Sequence, residues 1–185
     1  MTTMVHRSDN LAANDGGLER LGSVVLSPVE GFVKIGDFEG AADDPQHQGW
    51  SPLLGLHAAV TRATGSFISS SQQVGSTRFS DVTVAKCFDG ASPKSQQACA
   101  SGQKLQKVQI HVCSEVGGKP RVTTEIELSD VLVTRHEVTG VTGLGDGRQM
   151  ELVSFAFGKI SWTFNKMDGK GTAQGKVAES FTVGN

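Results

Sequence analysis

His111 and Cys113 stand two residues apart in "LQKVQIHVCSEV". On a strand such a pair projects from one face and could ligate a metal ion together. Zinc needs three or four ligands of this kind; His136, Cys87 or Cys99 would have to converge from distant segments. A surface histidine beside a half-buried cysteine is the plainer reading. The stretch "DGKGTAQGKVAE" places Asp168 and Glu179 at the first and twelfth positions of a calcium loop. Lys170 and Lys176 occupy ligand positions, however, and Ala173 replaces the turn glycine. In "GVTGLGDGR", Gly143 and Gly145 begin a dinucleotide-binding pattern, but Arg148 stands where the third glycine belongs. A strand follows, so no helix N-terminus faces an anion. Glu125 and Glu127 fall on the polar side of an alternating strand, and no serine sits in a GxSxG elbow. Nothing assembles a nucleophile, a base and an oxyanion hole. The chain reads as non-enzymatic, with no cofactor and no metal site.

The totals narrow the class further. At 185 residues the chain can bury a real core as one domain. A net charge of −2 provides no electrostatic footprint for nucleic acid or an anionic membrane. No apolar run approaches the roughly 18 residues of a membrane span. Residues 1–25 are a polar extension without the apolar centre of a secretory signal, and they read as flexible lead-in. The single ordered domain is expected over 26–185. Cys87, Cys99 and Cys113 form no CxxC pair, and their odd number argues against a disulfide framework. A Cys87–Cys99 bridge stays open.

The elements that would position any site are mostly strands. "VEGFVKIGDFEG" (29–40) reads as a strand ending in a Gly turn, and "PLLGLHAAVTRA" (52–63) is ambiguous between strand and helix. "TGSFISSSQQVGSTR" (64–78) reads as a long polar loop, and "RFSDVTVAKCF" (78–88) as a strand. In 105–116 the alternation is clean: Val108, Ile110 and Val112 point one way, Lys107, Gln109, His111 and Cys113 the other. "GGKP" (117–120) closes a hairpin into 121–138, and a Gly-rich loop follows at 139–149. "MELVSFAFGKISWTF" (150–164) reads as one strand with Val153, Phe155 and Phe157 on one face and Ala156, Ile160, Trp162 and Phe164 on the other. Apolar groups on both faces need cover on both sides. A turn and a last strand, "KVAESFTV", end the domain.

One segment breaks the pattern. "DGASPKSQQACASG" (89–102) is punctuated as a short helix: Ser92 as N-cap, Pro93 at the first helical position and Gly102 at the left-handed C-terminal position. A helix this short does not persist alone in water.

The order of these elements resembles the haemolysin-coregulated protein family, the tube subunit of type VI secretion. The matching features are "FVKIGDFEG", the helix entered by Ser92-Pro93 after Asp89 and left at Gly102, the hairpin 105–138, the aromatic strand, and the Asp168-Gly169 turn. The resemblance spans about 29–183. It departs where the family's helix has a leucine and this chain has Ser95, in "ESFTV" replacing the family's Gly-Trp-Asp, and in the longer N-terminal extension.

The resemblance implies a mainly β protein, a compact barrel of two antiparallel sheets with one short flanking helix at about 93–101, acting as a lid over an open barrel edge. It implies homohexameric rings stacked into a tube, with a contractile sheath, a spike protein and effector cargo as partners. Assembly is expected in the cytoplasm, followed by secretion without a cleaved signal peptide. Interface candidates are Gly65, Phe67, Ser70, Gln72, Val74 and Arg78 on the long loop, and Ile160, Trp162 and Phe164. Lumen candidates are Lys107, Gln109, His111, Glu125 and Glu127. The other readings are a tail-tube protein of a phage-like or extracellular contractile injection system, and a monomeric barrel that binds a ligand inside.

Overall fold

The computed structural model describes residues 27–64, 74–139 and 149–183. Ten strands and one helix follow in the order β1 (Ser27–Ile35), β2 (Ser51–His57), β3 (Val60–Thr64), β4 (Val74–Phe79), β5 (Val82–Cys87), α1 (Ser92–Ser101), β6 (Lys104–Val116), β7 (Lys119–Thr139), β8 (Met150–Ala156), β9 (Lys159–Met167) and β10 (Ala173–Thr182). Strands β7, β6, β1, β2, β5 and β8 are neighbours in that order, and β8 pairs back onto β7, closing a six-stranded antiparallel barrel. Closure removes edges from that part of the sheet. Inward residues recur with period two: Val33 and Ile35, Val82 and Val84, Val108 and Ile110, Val153 and Phe155, all buried.

β7 makes this topology possible. One of its edges carries β6; the other carries β9 along Thr124–Ser129 and then β8 along Leu132–Thr139. The switch falls at Asp130, whose φ of 53° bends the strand, and at a register shift between Val133 and Arg135. The Gly158 N–H donates to Ser129 O at 3.0 Å and pins the turn between β8 and β9 there. The expected single strand 150–164 is therefore two strands, broken at Phe157–Gly158. The break moves Ile160 into the core at 2% exposure, beside Val153 and Phe155. The single strand expected over 150–164, with Phe155 and Ile160–Phe164 on opposite faces, is therefore not formed.

Two further expectations change. Of the expected long loop 64–78, Val74–Phe79 is strand β4, antiparallel to β3 in a separate two-stranded sheet, a ribbon, and 65–73 lie outside the described residues. The segment 78–88 is also divided, at Ser80–Asp81, because Phe79 belongs to the ribbon and Val82 to the barrel. "PLLGLHAAVTRA" resolves as strand, supplying β2 and most of β3.

The helix spans 10 residues, but its N-cap is Ala91 and makes no side-chain cap hydrogen bond; Ser92 is already inside it. The Ser92 hydroxyl is drawn into a buried cluster instead. Pro93 lies in the first turn, and Gly102, at φ 66°, sends its N–H to Ala98 O. Because β7–β8 pairing closes the barrel, the helix covers no open edge; it packs on β7 through Ser95 and Ala98. Such small side chains bury little apolar area, so something else must hold the helix.

Candidate functional site

What holds the helix is ionic. Lys86 on β5 is in phase with Val82 and Val84 and points inward; Glu151 on β8, in phase with Val153 and Phe155, is its cross-strand partner. Both side chains are fully buried, with Nζ 2.7 Å from Glu151 Oε1. Nζ also donates to Asp89 Oδ1 at 2.7 Å, Cys87 O at 3.1 Å and Ser92 Oγ at 3.2 Å. The Ser92 hydroxyl donates to Glu151 Oε1 at 2.9 Å and accepts the Asp89 N–H at 2.9 Å. His136 Nε2 stands 3.2 Å from the other Glu151 oxygen. Burial pushes the Glu151 carboxyl up, but His136, Lys86 and Ser92 more than offset it, so it sits below the usual carboxylate range. Asp89 behaves alike: burial raises it, and Lys86 and Ser51 bring it lower still. The cluster ties the start of α1 to two barrel strands.

The second structural unit is an arm, the sheet β6–β7–β9–β10 running out beyond the barrel. Its polar face gathers the lumen candidates in register, Gln109 opposite Glu127 and His111 opposite Glu125. Lys107 Nζ lies 3.0 Å from Glu127 Oε2. Glu125 Oε1 accepts from Asn165 Nδ2 at 2.8 Å and from Lys176 Nζ at 3.2 Å, and with Asn165 first it is held below its ordinary value against the opposing pull of burial. His111 is not on open surface; the chain between β1 and β2 covers it, placing His47 Nε2 at 2.9 Å from its Nδ1.

The other face of the arm is apolar and grades from buried to exposed. Ile160 is core, which removes it as an interface candidate. Trp162 is partly buried beneath Phe79 of β4, ring centroids 6.3 Å apart and stacked, while Phe79 also meets Phe157 and Phe181 edge-on or tilted. Phe164 is 53% exposed and directly opposite Val177, 47% exposed. Strand β10 ends the sheet with its outer edge unpaired among the described residues. On the ribbon, Arg78 is exposed and pairs across from Thr61, and Val74 pairs with Thr64. Gly65, Phe67, Ser70 and Gln72 lie outside the described residues.

Cys113, His47 and Asp44 line one groove of about 280 Å³ with Phe32, Leu53 and Val122. A thiol, an imidazole and a carboxylate there suggest nucleophilic chemistry, but the bonds run elsewhere. His47 spends Nδ1 on Asp44 and Nε2 on His111. Burial, with Asp44 and Glu30 nearby, pushes the Cys113 thiol up, away from the thiolate. All three cysteines are free. No group of three metal-ligating side chains converges among the described residues.

Sequence reasoning missed the ionic cluster and His47. The cluster left a signal, since Lys86 and Glu151 each occupy the inward phase of an apolar strand. His47 left none, because it sits in an irregular connection.

Comparison with known proteins agrees with this architecture. The chain is 25% identical over 148 residues to Hcp1 of Pseudomonas aeruginosa, covering 80% of this chain and 90% of that protein. Among solved structures, a type six secretion system protein superposes with a TM-score of 0.75 at 25% identity, covering 84% of this chain and 96% of the other. Hcp1 of Salmonella typhimurium shares the fold, with a TM-score of 0.65 at 16% identity over 84% of this chain and 95% of its own. The family model described as "Type VI secretion system effector, Hcp" matches residues 32–164, most of the barrel and arm, and the chain belongs to that family.

Proposed function

We propose that this chain is the tube subunit of a type VI secretion system, closing as six copies into a ring that stacks on further rings. The family supports the class of machine. The observation that carries the reading for this chain is the arm: it ends in β10, whose outer edge is unpaired among the described residues, with Phe164 and Val177 exposed side by side. An exposed edge with an apolar stripe is a pairing template, and a ring of head-to-tail contacts occupies it without leaving a free end. Trp162, Phe164 and the ribbon residues Val74 and Arg78 are the described interface candidates; Gly65, Phe67, Ser70 and Gln72 complete the set. Lys107, Gln109, Glu125 and Glu127 form the candidate lumen wall, where paired opposite charges avoid a strong field of either sign.

In this reading the subunit is made in the cytoplasm, is driven out by a contractile sheath behind a spike protein, and carries effector cargo in the lumen. A barrel that binds a ligand in its interior needs space there, whereas Val84, Ile110, Leu128, Val153 and Phe155 fill this one. The test is the mass of the native assembly by light scattering with electron microscopy, for the wild type and for Phe164→Ser/Val177→Ser. Six-membered rings in the wild type and folded lower-order species in the variant are expected. A wild type that stays monomeric at micromolar concentration overturns the proposal.

A further inference from the structure

The connection between β1 and β2, residues 36–50, lies across the outward face of β1 and β6. Its own Phe38 and Ala42 are buried, and its His47, 3% exposed, lies flat on Phe32 with ring centroids 4.1 Å apart and planes 10° off parallel. Trp50 closes over the other side, 4.6 Å from the His111 ring and 5.1 Å from that of His47. Two polar contacts complete the clasp: His47 Nδ1 to Asp44 Oδ1 at 2.7 Å, and His47 Nε2 to His111 Nδ1 at 2.9 Å.

Proton counting limits what this arrangement can hold. The Asp44 carboxylate only accepts, so His47 Nδ1 carries a hydrogen. Two imidazole nitrogens facing each other across 2.9 Å need one hydrogen between them, donated by one ring and accepted by the other. Two neutral rings satisfy this, and so does one imidazolium with one neutral ring. Two imidazoliums do not, because N–H then faces N–H and charge faces charge.

We propose that the His47–His111 pair is an acid-released clasp: uptake of a second proton breaks the Nε2–Nδ1 bond and frees the β1–β2 connection from β6. The surroundings set the sign. Burial first, then the charge of His47, disfavours the protonated form of His111, with Lys176 on β10 acting in the same direction and Glu125 on β7 opposing it. Glu30 on β1, Cys113 on β6 and Asp44 in the connection are the remaining titratable groups around the groove, and Lys34 on β1 donates to Gly49 O at the connection's end. His111 thus binds its proton less readily in the folded protein than in the unfolded chain. The clasp's contribution is present above the ordinary histidine value of 6.5 and weakens as pH falls below it. Asp44, held low chiefly by His47, stays ionised through that window and does not titrate with it.

Hydrogen exchange by mass spectrometry, corrected for intrinsic rates, tests this on the full chain between pH 7.5 and 5.0. Peptides within 36–50 should lose roughly tenfold in protection per pH unit once the second proton binds, while β8 peptides around Val153 and Phe155 keep theirs. His111→Asn retains a hydrogen-bonding amide near the Nδ1 position without a titrating ring, so its profile should be flat. Unchanged protection in the wild type, an equal loss in His111→Asn, or simultaneous loss in β8 overturns the proposal. If that variant does not fold, nuclear magnetic resonance titration of the wild-type histidine rings decides. Titration of the His111 ring accompanied by moving 36–50 amides supports the clasp, and ring titration with static amides refutes it.

Discussion

Lys86→Met is the sharpest perturbation of the buried cluster. Methionine fills similar volume but leaves Glu151 and Asp89, which share one cation at 2.7 Å each, without it. Breaking a buried pair by removing one partner costs about 3–5 kcal/mol, because the remaining charge stays desolvated. That is a large share of the roughly 5–15 kcal/mol that holds a domain folded. For a domain of this size the midpoint of thermal unfolding should fall by roughly 6–20 °C. Lys86→Met/Glu151→Leu removes the cross-strand pair together and should recover much of the loss, since apolar replacement of a whole buried pair is often close to neutral. The pH dependence has a definite sign. Asp89 and Glu151 are held below their ordinary values of 3.8 and 4.5, so their contribution is complete above those values and is lost as pH falls through the lower, folded-state ones. In the variant the carboxyls protonate readily, so the gap between wild type and Lys86→Met should narrow in acid. Calorimetry and urea unfolding at pH 7 and pH 4 measure this. A loss below about 1 kcal/mol at pH 7, or a double variant no more stable than the single one, refutes the reasoning.

Ile160→Ala should destabilise the isolated subunit by about 2–5 kcal/mol in urea unfolding, as a core cavity does; a near-neutral result would return Ile160 to the interface. Gly31→Ala should abolish soluble protein, because the added carbon would stand 2.0 Å from the His111 carbonyl oxygen on the adjacent backbone; recovery of native circular dichroism would show that β1 and β6 can separate. Gly102→Ala, at φ 66°, should cost about 1 kcal/mol by thermal melting. Lys107→Ala should change subunit stability by at most about 1 kcal/mol, because its pair with Glu127 is half exposed; under the tube reading, ring formation persists and retention of co-purified cargo is what shifts.

The sequence alone carried the strand-rich class, the clean alternation of β6, the hairpin at Gly117–Gly118 and a helix bounded by Pro93 and Gly102. These are legible because side-chain alternation and left-handed glycine are properties of a few consecutive residues. The element order was enough to carry the family resemblance. It was not enough to show that 150–164 is two strands. The residues flanking Phe157–Gly158 favour continuing, and only the shared edge of β7, turned at Asp130, forces the break and sends Ile160 inward. Ser92 looked like a helix cap because its type and place fit one; a buried glutamate 59 positions away competes for the hydroxyl. Lys86 and Glu151 were half legible, each a charge on an apolar phase, but that they neutralise one another follows from the β5–β8 register. His47 and His111, 64 residues apart, met through the path of an irregular connection. Local pattern determines which face a residue can occupy; register and closure, set by contacts distant in the chain, decide what it meets there.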